Sequence, residues 1–161
     1  MPKNQLLRSF GIFLPFLVLS IAALHGQDAG YALNENESAF VMIQMKETSK
    51  SSASDLSEPA VQSVVNQIKT INTKLGYEEF AKKMASFTLD NNGHKITYLT
   101  IRNFNDLKAA SLYAEALEKD LPKDIFGKIK KPFPVCQTDY KQCVTEKDFL
   151  PYYKAYSKTS R

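Results

Sequence analysis

KITYLTIRNFNDLKAASLYAEAL, residues 95–117, passes from a two-residue hydrophobic period to one of about 3.6 within a single short bend. Before the bend, Ile96, Tyr98, Thr100 and Arg102 fall on one face of a strand, with Thr97, Leu99 and Ile101 on the other. β-Branched and aromatic side chains dominate both sets, the composition that packs on a pleated surface. After Asn103 and Phe104, Asn105 is placed to cap a helix, and Asp106 sits where the positive end of the helix dipole favours a carboxylate. Leu107, Ala110, Ala114, Leu117 and Leu121 then make one apolar stripe. A strand is handed directly to a helix.

The flanking sequence supplies partners for this unit. Upstream, residues 39–45 (AFVMIQM) read as a first strand, and residues 46–57, rich in serine, as a long loop. Ser57 is placed to cap a helix with Pro59 in its first turn and Val61, Val64, Val65, Ile68, Ile71 and Leu75 on one face, stopped at Gly76. Residues 77–83 form a polar and aromatic bridge to a second strand at 84–90. Asp90, Asn91, Asn92 and Gly93 tolerate positive φ, which predicts an antiparallel hairpin between that strand and residues 95–102. Downstream, Pro122 ends the second helix and residues 123–131 form a basic connector. Residues 133–138 read as a final strand, which Pro132 and Pro134 place at a sheet edge. A capping pattern at 145–148 opens an aromatic tail, Phe149, Tyr152, Tyr153 and Tyr156, whose helix Pro151 shortens or delays.

The order strand, helix, strand, strand, helix, strand predicts an α+β chain with the ferredoxin-like split βαβ (βαββαβ) arrangement. Four antiparallel strands would carry two helices on one face, with an extra helix at the C-terminus. With Val41, Ile43, Phe87, Leu89, Leu99 and Ile101 turned to the helices, Met42, Gln44, Ser86, Thr88, Tyr98, Thr100 and Arg102 face the other way. Such a mixed row suits a sugar polymer or a peptide, and equally a solvated face or one covered by the aromatic tail. Lys123, Lys128, Lys130 and Lys131, around Phe126 and Phe133, form a second candidate binding patch or a solubilising connector.

Lys3 and Arg8 precede an uncharged apolar run at 10–24, followed by His25, Gly26 and Gln27, the pattern of an export signal cleaved after residue 26. That run is shorter than the roughly 20 residues needed to cross a bilayer. No cysteine follows it to accept a lipid, so a free periplasmic or secreted domain at 39–161 is expected, behind a loose arm at 27–38. Of 21 basic and 17 acidic residues, residues 1–26 hold two basic and none acidic, which leaves a formal charge of +2. So small a charge argues against nucleic acid as a partner. In an oxidising compartment Cys136 and Cys143 could close a small loop or remain two buried thiols.

Catalytic motifs are scarce. After residue 26 the one histidine is His94, in the hairpin turn, and no phosphate-cradling glycine loop, H-E-x-x-H or G-x-S-x-G is present. Glu78 and Glu79, Glu115 and Glu118, and Glu146 and Asp148 sit on polar helix faces or at helix starts, where solvation and the dipole account for them. Neither a metal, a nucleotide nor another cofactor is expected. A pair of carboxylates distant in sequence is the remaining route to a hydrolase.

YLTIRNFNDLKAASLYAEAL, residues 98–117, is similar to the second repeat of SPOR domains, bacterial modules of this strand order that bind peptidoglycan strands lacking stem peptides. A longer resemblance, from residue 40 to the end, rests on Phe133, Pro134 and Val135 followed by Tyr140, and on Lys147, Asp148, Phe149 and Leu150 followed by Tyr152 and Tyr153. Through these the chain resembles the C-terminal SPOR-like domain of envelope proteins associated with type IX secretion and gliding motility in Bacteroidetes. Gln27 after the cleavage point fits exported proteins of that group. The family's helical-repeat region and lipid-attachment cysteine are missing here, so the resemblance implies fold and compartment more than a secretion role. The expected function is a non-enzymatic envelope accessory module that binds a protein partner, with SPOR-type glycan binding on the open sheet face as the alternative.

Overall fold

The computed structural model describes residues 30–46, 59–81 and 83–159. The export segment, the Ser57 cap and nearly all of the serine-rich loop lie outside the described residues. In chain order the elements are β1 (Ala39–Gln44), α1 (Pro59–Leu75), α2 (Glu78–Ala81), β2 (Met84–Asn91), β3 (His94–Phe104), α3 (Leu107–Asp120), α4 (Lys123–Phe126), β4 (Phe133–Cys136), α5 (Gln137–Glu146) and α6 (Leu150–Thr159). The sheet runs β2-β3-β1-β4 with every neighbouring pair antiparallel. This is the ferredoxin-like α+β arrangement: both helical crossovers skip one strand. β4 lies at an edge, as its prolines require, with Pro134 opposite Val41.

One face of the sheet is covered by α1 and α3. Their stripes, Val61, Val64, Val65, Ile68 and Ile71 from α1 and Leu107, Ala110, Ala114 and Leu117 from α3, close on Val41, Ile43, Leu99 and Ile101 in one buried cluster. Helix α1 stops at Gly76, whose φ of 76° is open to glycine at little cost. Helix α3 is capped by Asp106, not by Asn105: the Asp106 carboxylate accepts the Ala109 N–H at 2.7 Å. Asn103 at φ 70° turns the chain early, so the residue with extended backbone before the first turn is one position later.

The β2–β3 hairpin corrects the assignment of faces in β2. Asn92 and Gly93 have φ of 54° and 85° and form a two-residue turn, which places Asn91 opposite His94 and therefore Phe87 opposite Tyr98. Phe87 and Leu89 thus lie on the face away from α1 and α3, and Ser86 and Thr88 lie toward those helices. A register set one residue out inverts every side chain of a strand.

The second sheet face is closed as well. The C-terminal segment forms two helices where one was expected, because α5 starts directly at the end of β4 and takes over residues 137 and 138 of the expected strand. Lys147 ends α5 in the left-handed conformation (φ 57°), and the Asp148 carboxylate caps the start of α6 by accepting the Leu150 N–H at 2.8 Å. Phe149, between the helices, sits at the centre of the second cluster. Its ring lies 4.9 Å from Tyr98, 5.8 Å from Tyr140, 6.3 Å from Phe87 and 6.4 Å from Phe133. Tyr152 is fully buried and donates to the Pro134 carbonyl at 3.0 Å. Aromatic burial of this size dominates a core, and the offset and edge-on contacts add to it.

Residues 30–38, expected as a loose arm, instead form a strap against α5 and α6. The Tyr31 ring packs edge-on to Tyr152 at 5.3 Å. Ala32 and Leu33 donate their N–H groups to the two Asp139 oxygens at 2.9 Å each. Glu37 accepts from the Thr138 hydroxyl at 2.7 Å, and the Leu107 N–H reaches the Glu35 carbonyl at 3.2 Å. A polar, small-residue sequence gives little sign of this, since three of the anchoring groups, the Ala32 and Leu33 N–H and the Glu35 carbonyl, belong to the backbone.

Candidate binding cleft

The row expected on an open face is dispersed by the two closed faces. Met42, Tyr98 and Thr100 are buried under α5 and α6, and the Thr100 hydroxyl donates to the Ala85 carbonyl at 3.2 Å. Ser86 and Thr88 are half-buried on the opposite face, where the Thr88 and Thr97 hydroxyls share a hydrogen bond of 2.9 Å. Arg102 is exposed beside Tyr140, whose phenol is pushed up by burial and held back by the guanidinium. Gln44, at the far end of β1, is half-buried. No continuous polar sheet face exists among the described residues.

The basic connector is drawn into the fold by Ile125 and Ile129, both buried, and by a bridge between Ile129 and Met45 that extends β1. Lys128 donates to the Ser63 hydroxyl at 3.0 Å, and Lys131 pairs with Glu118 at 2.9 Å, a contact that raises the Lys131 pKa. Lys123 is exposed at the start of α4, and Lys130 is exposed at the mouth of a cleft.

That cleft joins the ends of both expected patches. Gln44, Lys130 and Lys131 line it together with the apolar Phe133, Phe149, Leu150 and Tyr153. Phe133 and Tyr153 meet edge-on at 5.2 Å, and Leu150 is 45% exposed, one of few large apolar side chains so open to solvent. Its volume is about 50 Å³. Sites for small molecules usually run to roughly 300–1,000 Å³, so this one matches a single apolar side chain. A wider depression of about 530 Å³ lies between the strap, α3 and α6, where the Ser111 and Tyr156 hydroxyls bond each other at 3.2 Å. Glu35, Lys108 and Thr159 supply the rest of its polar lining.

His94 is exposed in the hairpin turn. Among the described residues no group of three or more His, Cys, Asp or Glu is placed to hold a metal ion. Asp139 is the one fully buried carboxylate among them, and it is satisfied by two strap amides and by the Cys136 thiol at 3.1 Å. Both cysteines are free and buried. Cys136 caps α5 and Cys143 lies two turns along it, a rise of about 10 Å, beyond the reach of a disulfide. Of the two readings of this pair, the disulfide falls and the buried thiols stand. Burial pushes Cys136 up to about 11 and Cys143 up to about 12.

Sequence reasoning missed Asp139 as an anchor and Leu150 and Tyr153 as cleft residues. Tyr140, Cys143 and Val144, at helical spacing, were the available signal for α5, and with it for Asp139. No described helix is long and apolar enough to cross a membrane. No protein-family model, curated protein or solved structure matches the chain.

Proposed function

We propose that the protein is an exported, non-enzymatic accessory module of a bacterial envelope, SPOR-like in kind, that binds a protein partner through the cleft between β1, β4 and α6. The observation that carries this reading is an exposed apolar side chain, Leu150, beside a one-residue cleft with lysines along its border. Exposed apolar patches of a few hundred Å² rimmed by polar groups mark interaction sites, and the single leucine takes its meaning here from the apolar cleft that it lines. The export pattern at residues 1–26 and the resemblance to SPOR-like envelope domains supply the compartment. A SPOR-type glycan reader would use the sheet face that α5 and α6 occupy, which makes a protein partner the better fit.

Panning a displayed random-peptide library against the protein tests this reading. Enriched sequences should carry an apolar anchor residue, and Leu150→Asp should remove the enrichment. Enrichment that survives Leu150→Asp, or none at all, sinks the reading. Retention on purified peptidoglycan sacculi that Arg102→Ala abolishes would put the glycan in its place.

A further inference from the structure

Resting on that reading, we infer that the cleft recognises the C-terminus of a partner chain, with the last side chain in the apolar floor and the terminal carboxylate at Lys130 and Gln44. The charge at the border suits one anion. Lys131 is paired with Glu118, so the two together contribute no net charge, and Lys130 adds one exposed cation. Lys130 is held in place through its backbone, whose N–H donates to the Gln44 carbonyl at 2.8 Å, and both residues line the cleft. A lysine ammonium and a glutamine amide are donors of the kind a carboxylate takes, and hydrogen bonds to an ionised acceptor are the strong ones.

The shape selects a chain end over an acidic side chain within a chain. At about 50 Å³ the cleft is sized for one apolar side chain. A terminal residue carries its carboxylate and its side chain on the same Cα, so both fit within one residue's reach. An internal acidic residue carries its carboxylate at the tip of its own side chain and so brings no apolar group from the same Cα.

A dye-labelled polar peptide ending in Val-Leu, as free acid and as C-terminal amide, tests this by fluorescence anisotropy with the full chain. The free acid should bind at least about tenfold more tightly than the amide, the loss expected for one charge-assisted contact. Lys130→Met, a change at an exposed side chain, should bring the acid down to the amide's affinity, and Leu150→Asp should abolish both. Equal binding of acid and amide overturns the inference while leaving a protein-binding cleft in place. Binding of neither peptide, with internal sequences enriched from the library, also overturns it.

Discussion

The Asp139 carboxylate accepts the Leu33 backbone N–H at 2.9 Å across 106 positions of sequence, and so ties the strap before β1 to the helix after β4. The same carboxylate holds Ala32 and Cys136. Three donors on one buried anion make it a structural anchor, since each would otherwise be left without an acceptor.

Asp139→Ala should therefore cost about 3 kcal/mol in urea unfolding at neutral pH. Asp139→Asn should cost less, because one acceptor oxygen remains while the amide turns a donor toward a donor. Limited proteolysis should cut residues 30–38 faster in both variants. Unchanged stability and unchanged cleavage would mean that the strap is held by something else.

Phe149 touches four other rings of the second cluster and lies between α5 and α6. Phe149→Ala should destabilise by about 3–5 kcal/mol, the range for deleting a buried aromatic side chain. Exposed Leu112, which is 59% accessible on α3, serves as the control, and Leu112→Ala should change the unfolding midpoint little.

Tyr113 donates to the Asn72 side-chain oxygen at 2.7 Å inside the first cluster, while the Asn72 amide nitrogen has no hydrogen-bond partner among the described residues. Removing the hydroxyl with Tyr113→Phe leaves a second buried polar atom unsatisfied, at a cost of about 1–3 kcal/mol. Asn72→Leu combined with Tyr113→Phe should recover most of that loss. A double-mutant cycle reads the coupling directly, and additive losses would show that the pair is not an interacting unit.

The raised thiol pKa values make a kinetic and a thermodynamic prediction. Cys136 and Cys143 rise from 9.0 to about 11 and about 12, so at pH 8 the folded protein should react with a thiol reagent far more slowly than the unfolded chain, which should show two fast thiols. In the window above pH 9 the unfolded chain has lost these protons and the folded one retains them. Stability is therefore full below pH 9 and falls as pH rises through 11 and 12. Buried Tyr98, Tyr113 and Tyr152, also raised by burial, add to the fall. Cys143→Ala should flatten the alkaline limb, and a stability flat from pH 8 to 11 would contradict the burial of both thiols.

Much of the fold can be read in single residues. Gly76, Asp90 to Gly93, Pro122 and Pro134 punctuate the chain through backbone conformations that other residues adopt poorly or hydrogen bonds they cannot make. The first-face stripes of α1 and α3 need only their own periodicity. The hairpin register was legible too, since a two-residue Asn92-Gly93 turn already pairs Phe87 with Tyr98, although the alternation inside β2 alone is ambiguous between Phe87 with Leu89 and Ser86 with Thr88.

The candidate site was much less legible. Lys130, Lys131 and Gln44 stood out as separate patches, and nothing local joins them to Phe149, Leu150 and Tyr153. Their meeting depends on where α6 packs across the sheet, a choice made by long-range burial of aromatic rings and not by propensity.

By itself, then, the sequence determined the order of elements, the hairpin, the edge position of β4 and the helix-covered core, because each follows from local periodicity and turn chemistry. Only the tertiary structure decided that the opposite face is closed. Residues 98, 100 and 102, expected on a binding face, are two buried positions and one exposed arginine beside Tyr140. Burial of the second cluster is worth more than an open sheet face in water, and that comparison involves residues about 50 positions apart in the chain.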